Sequence, residues 1–271
     1  MEIENLYQKY TESKKISTDT RQITPGSVFF ALKGDKFNAN AFADEAIGKG
    51  ASYAVIDEEK YRKDDRFILV SDVLDTLQRL ARHHRNHLNI PVIALTGSNG
   101  KTTSKELVHA VLSKKFRTHA TKGNLNNHIG VPLTLLAIDQ SVEIAVVEMG
   151  ANHLGEIALL CAIANPTHGF ITNIGKAHIG TFGGYENIVR GKSELFQHLI
   201  TNNGQVFINS ANPILFNMAK RFKDPVFYPG IGDYYEAQLV SADPMVTIKA
   251  DNGEQIETHL IGGYNFENIA A

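Results

Sequence analysis

The chain has 271 residues, 43% of them hydrophobic, and a formal net charge of −2. That length favours two domains over one, and an ordinary apolar fraction lets each bury a core of its own. A near-neutral charge argues against general binding of nucleic acid or anionic membranes, so any phosphate site must be local.

Met1 to Tyr10 is polar and acidic, without the basic start and apolar run of a secretory signal. Ser27 to Leu32 is an apolar strand between Pro25-Gly26 and Lys33-Gly34. Phe42 to Lys49 reads as a helix stopped by Gly50, and Ala51 to Asp57 as a second strand. A helix is expected over Asp72 to Leu88, with Val73, Leu77, Leu80 and Ala81 on one face. Its run of Arg79, Arg82, His83, His84, Arg85 and His87 reads as a solvated face rather than a phosphate site. Asn89-Ile90-Pro91 breaks the pattern, which sets expected domains at 1–88 and 89–271.

Strand and helix then alternate. Strands are expected at Val92 to Thr96, Ile144 to Glu148, Gly169 to Ile174, Val206 to Asn209 and Val226 to Tyr228. Helices are expected at Lys101 to Lys115, His153 to Ala164 and Glu186 to Leu199. This order implies a parallel sheet covered on both faces. The single cysteine, Cys161, falls in one of these helices as a small core residue, and no intrachain disulfide is possible. Ala237 to Val240, Val246 to Ala250 and Gln255 to Ile261 alternate like antiparallel strands, the last two joined at Asp251-Asn252-Gly253. A helix begins at Asn265. The expected class is α/β: a small mixed α/β domain, then a phosphate-loop domain with a parallel sheet and some antiparallel strands near its end. No stretch approaches the roughly 20 apolar residues of a membrane span. A soluble, cytoplasmic monomer without membrane insertion is expected.

The strongest chemical signal is Gly97-Ser98-Asn99-Gly100-Lys101-Thr102-Thr103, which follows an apolar strand and opens a helix. Glycines allow a tight turn that points backbone N–H groups inward, and the helix N-terminus adds partial positive charge. Lys101 can neutralise β- and γ-phosphates, and the Thr102 hydroxyl can ligate Mg²⁺. The general pattern wants a further glycine where Leu95 stands. The shortened form resembles the phosphate loop of the Mur ligases and their folylpolyglutamate synthetase relatives.

The resemblance extends over nearly the whole chain. Thr18-Asp19-Thr20-Arg21 and Pro25 to Gly34 resemble the uridine-side domain of that family, implying UDP-sugar contacts at Thr20 and Arg21. Phe37-Asn38-Ala39-Asn40 replaces the Asp-Gly-His usual there. Gly123 to Pro132 resembles a second substrate loop, with Asn126 and Asn127 as contacts. Glu148-Met149-Gly150-Ala151-Asn152-His153 resembles the members that add D-alanyl-D-alanine, with Glu148 as a metal ligand and Asn152 and His153 near substrate. Thr172 to His178 and Gly191 to Leu195 resemble segments that carry a metal-binding histidine, His178, and a carbamylated lysine, Lys192. Gly263 to Ala271 resembles a segment near the adenine, with Asn268 as the contact and Tyr264 where histidine is common.

What the resemblance implies is ATP-dependent ligation of D-alanyl-D-alanine to a UDP-N-acetylmuramoyl-tripeptide through an acyl phosphate, in peptidoglycan precursor synthesis. Lys101, His178 and carbamylated Lys192 would be catalytic. Two Mg²⁺ ions would be held by Thr102 and Glu148, and by His178 and Lys192. Family members continue past Asn268 into a third, C-terminal ligase domain, so the chain as given is expected to bind ligands without ligating. A sibling ligase adding the third amino acid, a folylpolyglutamate synthetase-like enzyme and a non-catalytic nucleotide-binding module remain alternatives. The Gly-Ala-Asn-His segment weighs against the siblings. No Asn-Lys-x-Asp guanine motif supports a GTPase switch.

Overall fold

The computed structural model describes residues 2–176 and 179–271. They form two compact units, Met1–Asn89 with His128–Ser141, and Ile90–Asn127 with Val142–Ala271. The sequence reading placed everything after residue 88 in the second domain. Residues 128–141 depart from it because Gly130–Leu136 is a helix that packs on the helix Val73–His87. Tyr10 Oη donates to the Leu136 carbonyl at 2.6 Å, which fastens the returning segment within the first unit.

The first unit carries parallel strands in the order Ile16–Ser17, Val28–Phe30, Tyr53–Ile56 and Phe67–Leu69. The helix Ala43–Gly48 covers them through Ala43, Ala46 and Ile47, which join Phe29, Ile56 and Phe67 in one core. Asp72 caps the next helix by accepting from the Asp75 amide at 2.7 Å. This helix buries Val73, Leu77, Leu80 and Ala81.

Its basic run is only partly a solvated face: Arg79, Arg82 and His87 are exposed and His83 is half-buried. His84 and Arg85 are buried. His84 is covered by the unpredicted helix Ile3–Ser13, whose Leu6 and Tyr10, four residues apart, are buried and whose Tyr7 and Tyr10 rings meet it. Tyr7 stacks on His87 with ring centroids 4.9 Å apart and meets His83 edge-on at 4.6 Å. His84 Nε2 lies 2.9 Å from the Ile138 carbonyl, which can only accept, so Nε2 carries the proton. Nδ1 then accepts from Tyr7 Oη at 3.2 Å.

Burial lowers the His84 pKa, and nearby His87, His83 and Lys14 push the same way against the Ile138 carbonyl. The folded state therefore resists the proton that the unfolded chain takes up near pH 6.5. Stability is expected to be intact above that pH and to fall as pH drops through it. His168 and His198, both lowered by burial, add to the fall. Urea midpoints at pH 7.5 and 5.5 should differ less in His84→Gln than in the parent; an unchanged difference would exclude His84 as a contributor.

In the second unit, six parallel strands are described, in the order Val226–Tyr228, Gln205–Asn209, His168–Ile171, Val92–Thr96, Ile144–Glu148 and Thr118–Ala120. The strands following Val92–Thr96 go first to one side of it and then to the other. The crevice beyond its C-terminal end is thus a topological switch point, where open α/β sheets hold ligands. The helices Lys101–Leu112 and Tyr185–Thr201 pack on this sheet. The helix Glu156–Ala164 starts three residues later than expected, because Gly155 has a φ of +85° that ends the preceding turn. Ala237–Ser241, Met245–Ala250 and Gln255–Ile261 form the antiparallel sheet, which shares a core of Tyr228, Val246, Ile248 and Ala270. Among the described residues no helix is long and apolar enough to cross a membrane.

Candidate active site

The strand Val92–Thr96 delivers its chain directly into the glycine loop. Gly97 and Gly100 have φ of +151° and +78°. A Cβ on Gly97 would lie 2.0 Å from Thr172 Oγ1, and one on Gly100 would lie 2.1 Å from Asn268 Oδ1. The loop is latched to residues 172–175. The Ser98 amide donates to the Asn173 carbonyl at 3.0 Å, and the Asn99 amide to Asn173 Oδ1 at 3.0 Å. Ser98 Oγ accepts from the Gly175 amide at 2.9 Å, and Thr172 Oγ1 donates to the Asn99 carbonyl at 2.6 Å.

Ser98 and Asn99 therefore brace the loop, although the sequence motif alone put them with the anion-facing residues. The first intrahelical bond runs from the Ser104 amide to the Gly100 carbonyl at 2.8 Å. Amides from Gly100 to Thr103 precede it, as the first N–H groups of any helix do. Gly100, at the N-cap, offers no side-chain cap. This end of the helix can take an anion. Lys101 folds back onto the loop, its Nζ 2.9 Å from the Gly97 carbonyl. Burial lowers its pKa, and the neighbouring Glu148 opposes that shift.

Glu148 ends the adjacent strand and is 1% exposed. Its Oε1 accepts from Asn126 Nδ2 at 2.7 Å and from Thr102 Oγ1 at 3.3 Å. Its Oε2 is buried with no hydrogen-bond partner among the described residues. A buried carboxylate oxygen left unpaired is expensive, and a cation beside Thr102 would satisfy it. Among the described residues no three His, Cys, Asp or Glu side chains converge. One carboxylate and one hydroxyl suit Mg²⁺, which keeps several waters and shares its shell with phosphates.

Lys192 is buried on the helix Tyr185–Thr201, with Nζ 3.4 Å from the Ala151 carbonyl and 5.5 Å from the centre of the Phe182 ring. Burial, followed by repulsion from Lys101, brings its ammonium down to about 8. His178, the other expected metal ligand, lies outside the described residues. Among the described residues Asn152 and His153 bond to Glu156 instead: both backbone amides donate to Glu156 Oε2, at 2.7 and 3.2 Å. Asn127 is exposed on the loop beside Asn126, and Thr103 is on the first turn of the loop helix. Asn268 lies against the glycine loop: its Oδ1 accepts from Ser104 Oγ at 3.2 Å, and its Nδ2 donates to Asn265 Oδ1 at 2.9 Å.

In the first unit, Asp19 caps the short turn Thr20–Gln22 and ion-pairs with Arg21 at 2.5 Å on the surface. Thr18, Thr20, Arg21, Phe37, Phe42 and Glu45 are among the residues lining a cavity of about 680 Å³. Phe37 and Phe42 stack there, with centroids 5.5 Å apart and planes 14° from parallel. Both rings are exposed, and flat apolar faces beside polar side chains suit a planar heterocycle. Asn40 is 1% exposed and bonds to Asp57 and Asn38, so this departure from the usual Asp-Gly-His supplies structure rather than an open contact.

Two family models match. The Mur ligase middle domain covers residues 95–271, and the Mur ligase family catalytic domain covers 12–85. The UDP-N-acetylmuramoyl-tripeptide–D-alanyl-D-alanine ligase of Bacillus subtilis is 40% identical over 83% of this chain and 50% of its own length. The ligase of the same name from Synechocystis is 42% identical over 94% of this chain and 56% of its own. The chain thus spans about half the length of the curated relatives it matches. Crystal structure I of MurF from Acinetobacter baumannii superposes with a TM-score of 0.83 at 32% identity, covering 94% of this chain and 57% of that one. MurF from Thermotoga maritima in complex with ADP superposes equally well, at 0.83 and 30% identity, covering 95% of this chain and 61% of that one. The phosphate loop, the carboxylate beside it and these matches agree: the chain belongs to the Mur ligase family.

Proposed function

We propose that the chain holds ATP and a UDP-linked peptide for a ligase that joins D-alanyl-D-alanine to UDP-N-acetylmuramoyl-tripeptide in peptidoglycan precursor synthesis. The observation that carries this reading is Glu148, one oxygen bound by Asn126 and Thr102 and the other left unpartnered beside the glycine loop. The names of the similar ligases support the choice of substrates, and the ADP held by the Thermotoga relative supports the nucleotide.

The residues present fit Mg²⁺, with Thr102 Oγ1 and Glu148 Oε2 as its protein oxygens. When bound, Mg²⁺ supplies charge neutralisation of the phosphates. The amides from Gly100 to Thr103 hold phosphate oxygens at the helix N-terminus. Lys101 exchanges the Gly97 carbonyl for the γ-phosphate and stabilises its charge during transfer. The γ-phosphoryl group passes to the terminal carboxylate of the tripeptide, releasing ADP. The amine of D-alanyl-D-alanine then attacks the acyl phosphate, an amide bond forms, and phosphate leaves. In the first unit, Phe37, Phe42, Thr20 and Arg21 receive the uridine end.

Lys192 fits carbamylation. Its depressed ammonium releases a proton readily, and the neutral amine adds to CO₂ to give a carbamate and one proton. The product is a second buried acid, of a kind able to ligate a metal.

Calorimetric titration tests the reading. UDP-N-acetylmuramoyl-tripeptide and, separately, ATP with Mg²⁺ should each bind the chain at one site. With ¹³C-bicarbonate the sample should show a carbamate carbon signal that Lys192→Arg lacks. Binding of neither ligand would overturn the assignment, and an identical signal in Lys192→Arg would remove the carbamate from it.

A further inference from the structure

Lys105 lies four residues beyond Lys101 on the loop helix and is 0% exposed. A lysine is almost never so buried unless its three donors are satisfied. Here they have three acceptors: the Thr121 carbonyl at 2.7 Å, the Gly123 carbonyl at 3.5 Å and Glu106 Oε1 at 2.9 Å. Two of them are backbone atoms of the segment that leads to Asn126.

That segment is fixed at one end to the strand of Glu148 and at the other to the residues that follow it. The Thr121 amide donates to the Val146 carbonyl at 3.0 Å, and Thr121 Oγ1 accepts from the Glu148 amide at 3.0 Å. At the far end the Gly150 amide donates to the Asn126 carbonyl at 2.8 Å. Between these anchors the chain turns through Gly123, at a φ of +54°. Lys105 draws the two carbonyls at this turn onto the loop helix. The helix that presents Thr102 and the turn that presents Asn126 thereby share one buried charge, and both side chains end on Glu148 Oε1.

We propose that Lys105 is a positioning residue for the cation site: it sets the turn at 121–123 so that Asn126 occupies Glu148 Oε1 and leaves Oε2 free for the metal. The proposal rests on the nucleotide–metal reading given above. A methionine of similar length would fill the space without drawing the carbonyls together. The turn would relax, Asn126 would release Oε1, and the carboxylate could rotate to pair its free oxygen with protein.

The test is a double-variant cycle read by Mn²⁺ electron paramagnetic resonance with ADP, alongside ADP binding in EDTA and thermal melting. In the parent, Mn²⁺ binds with ADP; its failure to do so would count against the underlying reading rather than against Lys105. Lys105→Met is expected to weaken Mn²⁺ in the ADP complex about tenfold while metal-free ADP affinity changes less than twofold. In an Asn126→Ala background the same substitution should add less than twofold. Equal losses with and without metal, additive losses in the double variant, or no loss at all would each overturn the role. If Lys105→Met does not fold, Lys105→Gln, which keeps a shortened donor, is read against the same outcomes, and a partial loss confined to the metal is expected.

Discussion

Replacing Lys101 by alanine is expected to weaken ATP binding on the order of a hundredfold while leaving adenosine binding within twofold. Nζ is the mobile charge of the loop, resting on the Gly97 carbonyl at 2.9 Å and buried enough that its ammonium is destabilised. A phosphate oxygen offers that ammonium a full negative charge in a partly desolvated setting. Charge-assisted hydrogen bonds of this kind are worth roughly 1.5–3 kcal/mol, or about tenfold to more than a hundredfold. Adenosine lacks the phosphates and so loses nothing at this atom. The fold should be unharmed, because Lys101 is only half-buried and its hydrogen-bond partners are backbone carbonyls, those of Gly97 and Ser98. Calorimetry with ATP, ADP and adenosine checks the ordering. Equal ATP affinities in parent and variant would dismiss the loop as the phosphate site.

Gly97→Ala is expected to have the larger effect on stability, on the order of 2–4 kcal/mol. The added Cβ would fall 2.0 Å from Thr172 Oγ1 and 3.1 Å from both the amide and the carbonyl of Asn173. The hydroxyl cannot simply rotate away, because Thr172 is buried and its Oγ1 donates to the Asn99 carbonyl. The backbone of Asn173 holds the Ser98 amide, so moving it breaks a second bond. Steric relief must therefore open the brace between the glycine loop and residues 172–175, and the φ of +151° adds strain even where space is made. A lowered urea midpoint with faster amide exchange at residues 98–99 is the predicted result. A variant as stable as the parent would mean that the brace is softer than its distances imply.

The glycine loop was legible because its chemistry is local: a strand, two glycines, a lysine and a helix fall in sequence order. The parallel strands were legible because buried β-structure reads as short apolar runs between turn residues. Other features depend on what comes back from far along the chain. The helix Ile3–Ser13 shows only a sparse apolar face, and its partner is some seventy residues away. His84 looks like a solvent-facing member of a basic run until that helix covers it. Gly130–Leu136 reads as the tail of a polar loop, since Gly130 and Pro132 are turn residues in isolation; Pro132 is tolerated because it falls in the first turn of the helix. Glu148 was placed as a metal ligand by resemblance, yet the division of labour between its two oxygens needed the positions of Asn126 and Thr102. Nothing in a sequence separates a buried lysine such as Lys105 from an exposed one.

The return of residues 128–141 to the first unit has a bearing on biogenesis. A chain emerging from the ribosome exposes residues 1–89 well before it can supply the helix Gly130–Leu136 that covers Val73–His87. Until about residue 141 has cleared the exit tunnel, Tyr10 and His84 lack the carbonyls of Leu136 and Ile138 that they bond in the finished unit. The first unit should therefore mature late, after the glycine loop has already been made, and such long loop closures slow folding. Nascent chains stalled near residue 100 should be cut readily by protease within Ile3–Ser13, and chains stalled well past 141 should be protected there.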